Sequence, residues 1–230
     1  MAIEKGTMLK LNYIGKRKSD NYVFDTTLED VAKKEGIYDE KVIYKPCLVV
    51  IGKHWMPVGL EEQLVGLNEG DKKTIEVEAK QAFGLHDRSK IRLIQRREFQ
   101  KLDIKPKAGM EVEITGQKGR IMKVDSSRVK VDFNHPLAGE DVVYEVEIVK
   151  IITDVKEQFV ALLERRLPGI DFSETKIEID GKILVVELPP HSRFLEYIQF
   201  TKNAVTRDIS EFVKNKIDKV KFIEFYDIDK

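Results

Sequence analysis

The sequence predicts an α+β chain: an antiparallel β-sheet with one short helix, a small β domain inserted into it, and a C-terminal αββαβ domain. Three observations predict this. Residues 7–14 and 142–151 alternate, which puts Leu9, Leu11 and Tyr13, and then Val142, Tyr144, Val146 and Ile148, on single faces, the period of half-buried strands. Residues 87–132 break that pattern into short strands and tight turns, and carry 13 Lys and Arg against 7 Asp and Glu, a surplus of six. From Thr153 onward, helical and strand periodicities succeed each other in a second run.

A length of 230 residues exceeds the usual single domain. The units expected are residues 1–86 with 133–153, the insert 87–132, and 154–230.

In chain order, the first strand ends at Ile14 and a polar turn leads to Phe24-Asp25. Thr27 is placed to cap a short helix, with Asp30 at its third position and Gly36 past its end. Pro46–Ile51 reads as an apolar, β-branched strand in which Cys47 is a small buried hydrophobe. Residues 52–71 organise the chain: a loop, a short amphipathic helix opened by Gly59 with Leu60 and Leu64 on one face, an exit at Gly66, and a turn at 68–71. So short a helix needs a sheet beneath it, and the loop before it is thereby held against a concave surface. A strand at 72–78 follows, closed by Phe83-Gly84.

The insert offers strands at 110–115, 120–124 and 128–133, with turns at 116–119 and 125–127. Beyond it, residues 154–167 form an amphipathic helix ended by Pro168-Gly169. Residues 176–188 form a hairpin about Asp180-Gly181 with a type I′ turn. Ser192 is placed to cap a long helix to about Ile217, with the stripe Phe194, Ile198, Val205, Ile209, Phe212 and Val213. Residues 220–226 are a last strand, apolar on both faces.

Composition excludes several classes. Lys plus Arg and Asp plus Glu are 40 each, so no overall field favours nucleic acid or membrane. One cysteine allows no internal disulfide, and the four scattered histidines have no metal-ligand spacing. Neither a cofactor nor a metal is expected. No apolar run approaches a membrane span and the N-terminus has no signal-peptide pattern, which points to a cytoplasmic protein.

Four stretches carry a resemblance to a known family. They are 11–15 (Leu-Asn-Tyr-Ile-Gly), 23–27 (Val-Phe-Asp-Thr-Thr), the segment 52–71, and 81–84 (Gln-Ala-Phe-Gly). In that order and spacing they resemble the FKBP family of peptidyl-prolyl cis-trans isomerases. Residues 134–139 with the strand at 142–151 resemble the closing segment of its SlyD-like branch, here of the long archaeal type. The resemblance covers roughly residues 1–153. It implies an FKBP-type sheet, an insert-in-flap domain at 87–132 that captures unfolded chains, and isomerisation of X-Pro bonds.

The chemistry so implied needs no nucleophile. The barrier to peptide rotation, roughly 18–20 kcal/mol, comes from amide resonance. The planar amide has a larger dipole than the twisted one, so a dry aromatic pocket favours the twisted state relative to water. The site residues implied are Tyr13, Phe24, Asp25, Met56, Pro57, Leu60, Phe83 and Tyr144, with Asp25 hydrogen-bonded to Tyr13 and facing the substrate carbonyl. Two departures stand out. Gapless matching puts Pro57, which has no N–H to give, in the place of a backbone donor; a loop shift of one residue would give that role to Val58 instead. Phe83 stands where the family commonly has tyrosine. Weak macrolide binding is therefore expected. His54 and His86 flank the site without a third ligand, and Trp55 reads equally as packed or as a contact for a client.

The partners expected are unfolded or proline-containing polypeptides, a weakly bound ribosome attracted by the basic insert, and a second copy through residues 154–230. The alternative activity is a client-binding holdase with a weak or vestigial isomerase pocket.

Overall fold

The structure is a computed structural model that describes residues 2–168, 170–213 and 216–226. Strand β1 (Met8–Arg17) is the spine of a five-stranded antiparallel sheet. Along one edge it pairs first with β3 (Cys47–Val50) and then with β2 (Val23–Thr26). Its other edge pairs with β9 (Val142–Ile152), and β4 (Lys72–Val77) completes the sheet on β9.

Helix α2 (Val58–Leu64) crosses one face of this sheet. Leu60 and Leu64 are fully buried there with Leu9, Leu11, Val49, Ile75, Tyr144 and Ile148. Gly59 does not open the helix. It sits in the first turn, where a Cβ would lie 2.8 Å from Val77 Cγ1 and 2.9 Å from Gln81 Cβ, so its missing side chain lets the helix approach. Gly66 leaves the segment with φ of 88°, a conformation open to glycine.

A bulge in β9 lets both faces of the sheet be apolar. Lys10 pairs with Lys150 but Leu11 with Ile148, so Val149 has no partner. The extra residue shifts the alternation, and Ile152 joins Met8, Leu48 and Val50 on the opposite face. That face is covered by the C-terminal segment.

This segment comprises α4 (Val155–Arg166), α5 (Ile198–Phe212) and a three-stranded sheet of β10 (Lys176–Asp180), β11 (Ile183–Glu187) and β12 (Lys219–Ile223). Asp154 caps α4 by accepting from the Lys156 and Glu157 backbone N–H groups. Phe159, Leu162, Val205 and Ile209 meet Met8, Val50 and Ile152 in one continuous core, so the unit does not close on itself. Arg166 ties α4 to α5 through both oxygens of Asp208, at 3.0 and 2.8 Å.

The insert is a four-stranded sheet, ordered β5 (Ile91–Gln95), β8 (Arg128–Asp132), β7 (Gln117–Val124), β6 (Glu111–Ile114), with helix α3 (Arg96–Lys101) laid on it. Sequence periodicity misses β5 and α3. Phe99 on α3 is fully buried and anchors a small core with Val112, Ile121, Val129 and Val131. The β6–β7 turn is Thr115-Gly116, both at positive φ, and Gly119 lies within β7, where a Cβ would strike Val131 and Phe133.

Further expectations are corrected. Helix α1 (Glu29–Lys34) follows Leu28 without a side-chain cap, so Asp30 is its second residue. The Thr27 hydroxyl is drawn to β1, where it accepts from the Tyr13 N–H at 2.9 Å. Ser192 lies buried in a 3-10 turn, Pro190–Phe194, and α5 begins only after Tyr197, which takes a left-handed conformation with φ of 63°. Phe194 is 79% exposed and lies off the helical stripe. The β10–β11 hairpin turns on Gly181-Lys182 with positive φ at Gly181 alone, the type II′ pattern rather than type I′. Strand β12 ends at Ile223, so Phe225 and Tyr226 lie beyond it, exposed. Gly169, and residues 214 and 215 on the expected path of the last helix, lie outside the described residues. Among the described residues no helix is long and apolar enough to cross a membrane.

Candidate active site

β1, β2 and β9 bring Tyr13, Phe24 and Tyr144 to one end of the α2 face. Phe24 meets Tyr144 edge to face at 5.9 Å and Phe83 at 5.7 Å, and Tyr13 meets Tyr144 at 5.9 Å. These spacings and angles are those at which ring edges and faces attract. Gly15 makes the arrangement possible: a Cβ there would lie 2.8 Å from Phe24 Cζ and 3.1 Å from Tyr144 Cε1. A glycine inside a strand is the signal from which this role could have been read.

The Tyr13 hydroxyl donates to Asp25 Oδ2 at 2.6 Å. Asp25 lies at the exposed rim, and the hydrogen bond fixes its carboxylate toward the box. Burial, reinforced by the Asp25 charge, holds the Tyr13 phenol far above its ordinary range, and the same two causes act on Tyr144. Both phenols remain protonated, so they serve as dipoles and donors, not as proton carriers.

Leu60 is fully buried under the box, and Met56 packs half-buried against the same core. Pro57 is the residue before α2; its carbonyl accepts from the Leu60 and Glu61 N–H groups. Phe83 stacks on His135 at 4.4 Å with the rings 2° from parallel. The Leu137 N–H donates to His135 Nδ1 at 3.1 Å, which leaves the ring proton on Nε2 in the neutral form. Burial also lowers the His135 pKa.

Sequence reasoning missed Glu61. Its side chain is 2% exposed and accepts from three backbone N–H groups: Gly52 at 2.7 Å, His54 at 3.2 Å and Met56 at 3.0 Å. The loop that carries Met56 and Pro57 is thus wrapped around a buried carboxylate on the first turn of α2. Nothing in the sequence sets it apart from its neighbour Glu62.

Trp55 resolves toward packing. Its indole meets Phe212 of α5 edge to face at 5.6 Å, and the Arg165 guanidinium lies over it at 3.7 Å. Cys47 is half-buried rather than enclosed, and burial raises its pKa. His86 turns away from metal geometry to pair with Asp132 at 2.8 Å, where the insert rejoins the sheet. Asn134 spans the same joint, accepting from the Asp87 N–H and donating to the Asp87 carbonyl, each at 2.9 Å. Among the described residues no three His, Cys, Asp or Glu side chains converge as metal ligands.

An antiparallel sheet crossed by one short helix, with an aromatic cluster and a carboxylate at its rim, is the arrangement that the FKBP resemblance implies. Comparison with known proteins agrees. The family description "FKBP26, IF domain" matches residues 92–137, and "FKBP26_C-terminal" matches residues 155–227. The short-type peptidyl-prolyl cis-trans isomerase of Methanocaldococcus jannaschii is 33% identical over 146 residues, covering 64% of this chain and 92% of that protein. The FKBP-type 16 kDa isomerase of Escherichia coli is 36% identical over 112 residues, covering 46% of this chain and 74% of that protein. The SlyD isomerase of Vibrio cholerae is 29% identical over 155 residues, covering 66% and 69%. The chain belongs to the FKBP-type peptidyl-prolyl cis-trans isomerase family.

Proposed function

We propose that this protein is a peptidyl-prolyl cis-trans isomerase with chaperone activity, acting on X-Pro bonds in folding polypeptides. The observation that carries the reading is the Tyr13–Asp25 hydrogen bond at the mouth of the Phe24, Phe83 and Tyr144 box. A prolyl ring enters the box, and water is excluded from the amide as it twists. Loss of resonance shrinks the amide dipole, so the apolar walls favour the twisted state over the planar ones. No atom is transferred; Asp25, held by Tyr13, faces the carbonyl side of the substrate. Met56 and Leu60 supply the floor.

Client capture is assigned to the insert. Leu93, Leu102, Met110 and Met122 are large apolar side chains exposed on it. An unfolded chain held there is presented to the pocket at raised effective concentration. The same exposed residues favour the second reading, a holdase whose isomerase pocket is weak. The basic surplus of the insert fits weak, salt-sensitive attraction to a ribosome. A cytoplasmic workplace fits a chain with a single, unpaired cysteine.

Self-association is assigned to the C-terminal segment. Phe194, Tyr197, Phe200, Phe225 and Tyr226 are each at least 65% exposed. Arg193 gathers Phe194 and Tyr226, at 5.1 and 4.8 Å from their rings, into one patch. Aromatic surface on this scale usually marks an interface. Light scattering at tens of micromolar decides the point: a dimer mass supports it and a monomer mass ends it.

For the main activity, the test is exchange between cis and trans X-Pro peptides, measured by NMR with catalytic amounts of the full chain. Accelerated exchange that Phe24→Ala abolishes supports the isomerase. Unaccelerated exchange, with aggregation of an unfolded protein still suppressed, establishes the holdase.

A further inference from the structure

The pocket does not end at Asp25. A groove of about 270 Å³ continues from Tyr13 and Asp25, past Cys47 and the Val42-Ile43 loop, to Arg165 and Pro168 at the end of α4. One wall therefore belongs to the isomerase sheet and the other to the C-terminal segment. Val42 and Ile43, 49% and 48% exposed, give the outer rim an apolar surface.

The groove is lined by three cations, Lys10, Lys45 and Arg165, and two carboxylates, Asp25 and Glu164, of which Asp25 is held by the Tyr13 hydroxyl. Glu164 is held by Lys10 at 3.1 Å, with Lys45 at 4.0 Å. Arg166 points to the other side of α4, where it takes both oxygens of Asp208. Arg165 alone pairs with no carboxylate among the described residues. It is not loose, because its guanidinium is laid on the Trp55 ring. One face of the fork is thus covered, while its N–H edge stays available for a carboxylate. Burial and the neighbouring Arg166 charge both weigh against the bare cation, so a bound anion would be welcome there.

Tyr13 and Asp25 stand at the rim of the aromatic box and are also the first residues of the groove, so the two are continuous. We propose that the groove is a substrate subsite for the residues flanking the target proline in an extended chain, and that Arg165 selects an acidic side chain there. The C-terminal segment is then a specificity element of the isomerase.

The kinetic arm of the test rests on the isomerase reading; the binding arm does not. Peptides with one proline and a glutamate, alanine or lysine flanking it are compared on the full chain. Isomerisation is followed by NMR exchange, and binding by the fluorescence of Trp55, the one tryptophan. Charge-assisted, partly exposed pairing predicts that glutamate peptides exceed lysine peptides by about five- to tenfold in both kcat/KM and affinity. Arg165→Lys retains a preference for glutamate, Arg165→Gln brings the ratio near one, and Arg165→Glu inverts it. Equal handling of the peptides by the parent overturns the proposal, as does a glutamate preference that survives in Arg165→Glu. A fall common to all peptides with the affinity ratios unmoved also overturns it, and reduces Arg165 to a support for Trp55. Affinity ratios that follow charge, with no peptide isomerised, leave the subsite standing and remove the isomerase reading.

Discussion

The Tyr13 hydroxyl lies 2.6 Å from the Asp25 carboxylate, and the two side chains come from neighbouring antiparallel strands, β1 and β2. Strand pairing thus sets the distance, and the rigidity of β1 passes directly to the mouth of the pocket. Tyr13→Phe should lower kcat/KM for a short proline peptide about three- to tenfold, the worth of one ordinary hydrogen bond at an exposed rim. Phe24→Ala should cost more, because it opens the box to water. NMR exchange rates on folded variants check both.

The same phenols give a pH dependence. Tyr13 and Tyr144 have folded-state pKa values raised above the ordinary 10.0. The folded chain therefore holds protons that the unfolded chain releases above pH 10. Their contribution to stability is complete below about pH 10 and is lost as the pH rises further. Thermal melting from pH 8 to 11 should show a fall beginning near 10 that is shallower in Tyr13→Phe.

Glu61 should matter more for the loop than its sequence position suggests. Glu61→Ala leaves the Gly52, His54 and Met56 N–H groups without their acceptor, a loss of about 3 kcal/mol. Urea unfolding should show that loss, and isomerisation should fall even in conditions where the variant is fully folded. Glu61→Gln, which keeps one acceptor oxygen, should fall between parent and Ala.

Replacing residues 87–132 by a short flap should separate two activities. Short-peptide isomerisation should remain largely intact, since the box draws no residue from the insert. Catalysis on an unfolded protein should fall steeply, because tethering is lost. Equal losses on both substrates would show that the insert supports the pocket's fold.

Macrolide affinity is the last prediction. Pro57 has no N–H and Phe83 no hydroxyl, so two donors that the family resemblance places toward ligand carbonyls are missing. At about 0.5–1.5 kcal/mol each, they amount to tenfold or more in binding. Titration calorimetry should find the double change Pro57→Ile with Phe83→Tyr tighter than either single change. High affinity in the parent would refute the account.

The central sheet was legible because it has one clean side: alternation through Leu9, Leu11 and Tyr13 leaves little choice of face. The aromatic residues were singled out by the resemblance alone, and the pairing of β1, β2 and β9 accounts for the clustering of Tyr13, Phe24 and Tyr144. What periodicity could not reveal depends on tertiary partners. Strand β5 shows no usable alternation, with Leu93 exposed and Ile94 packed on the insert core. The Thr27 hydroxyl had two possible employers, a helix end and a strand edge, and proximity to Tyr13 chose between them. Glu61 looks like any helix-surface glutamate until the loop folds over it. Tyr197 carries no sign that it takes a left-handed conformation and delays α5.

The apolar patch made by Met8, Leu48, Val50 and Ile152 has a bearing on how such proteins can be shortened or lengthened. A chain ended just after Ile152 would present four greasy side chains to water and be prone to clump. A shorter chain of this kind stays soluble only with polar residues at these positions or another lid over them. Gain or loss of the terminal segment is therefore not a free cut-and-paste event. It must be accompanied by changes on strands more than a hundred residues upstream.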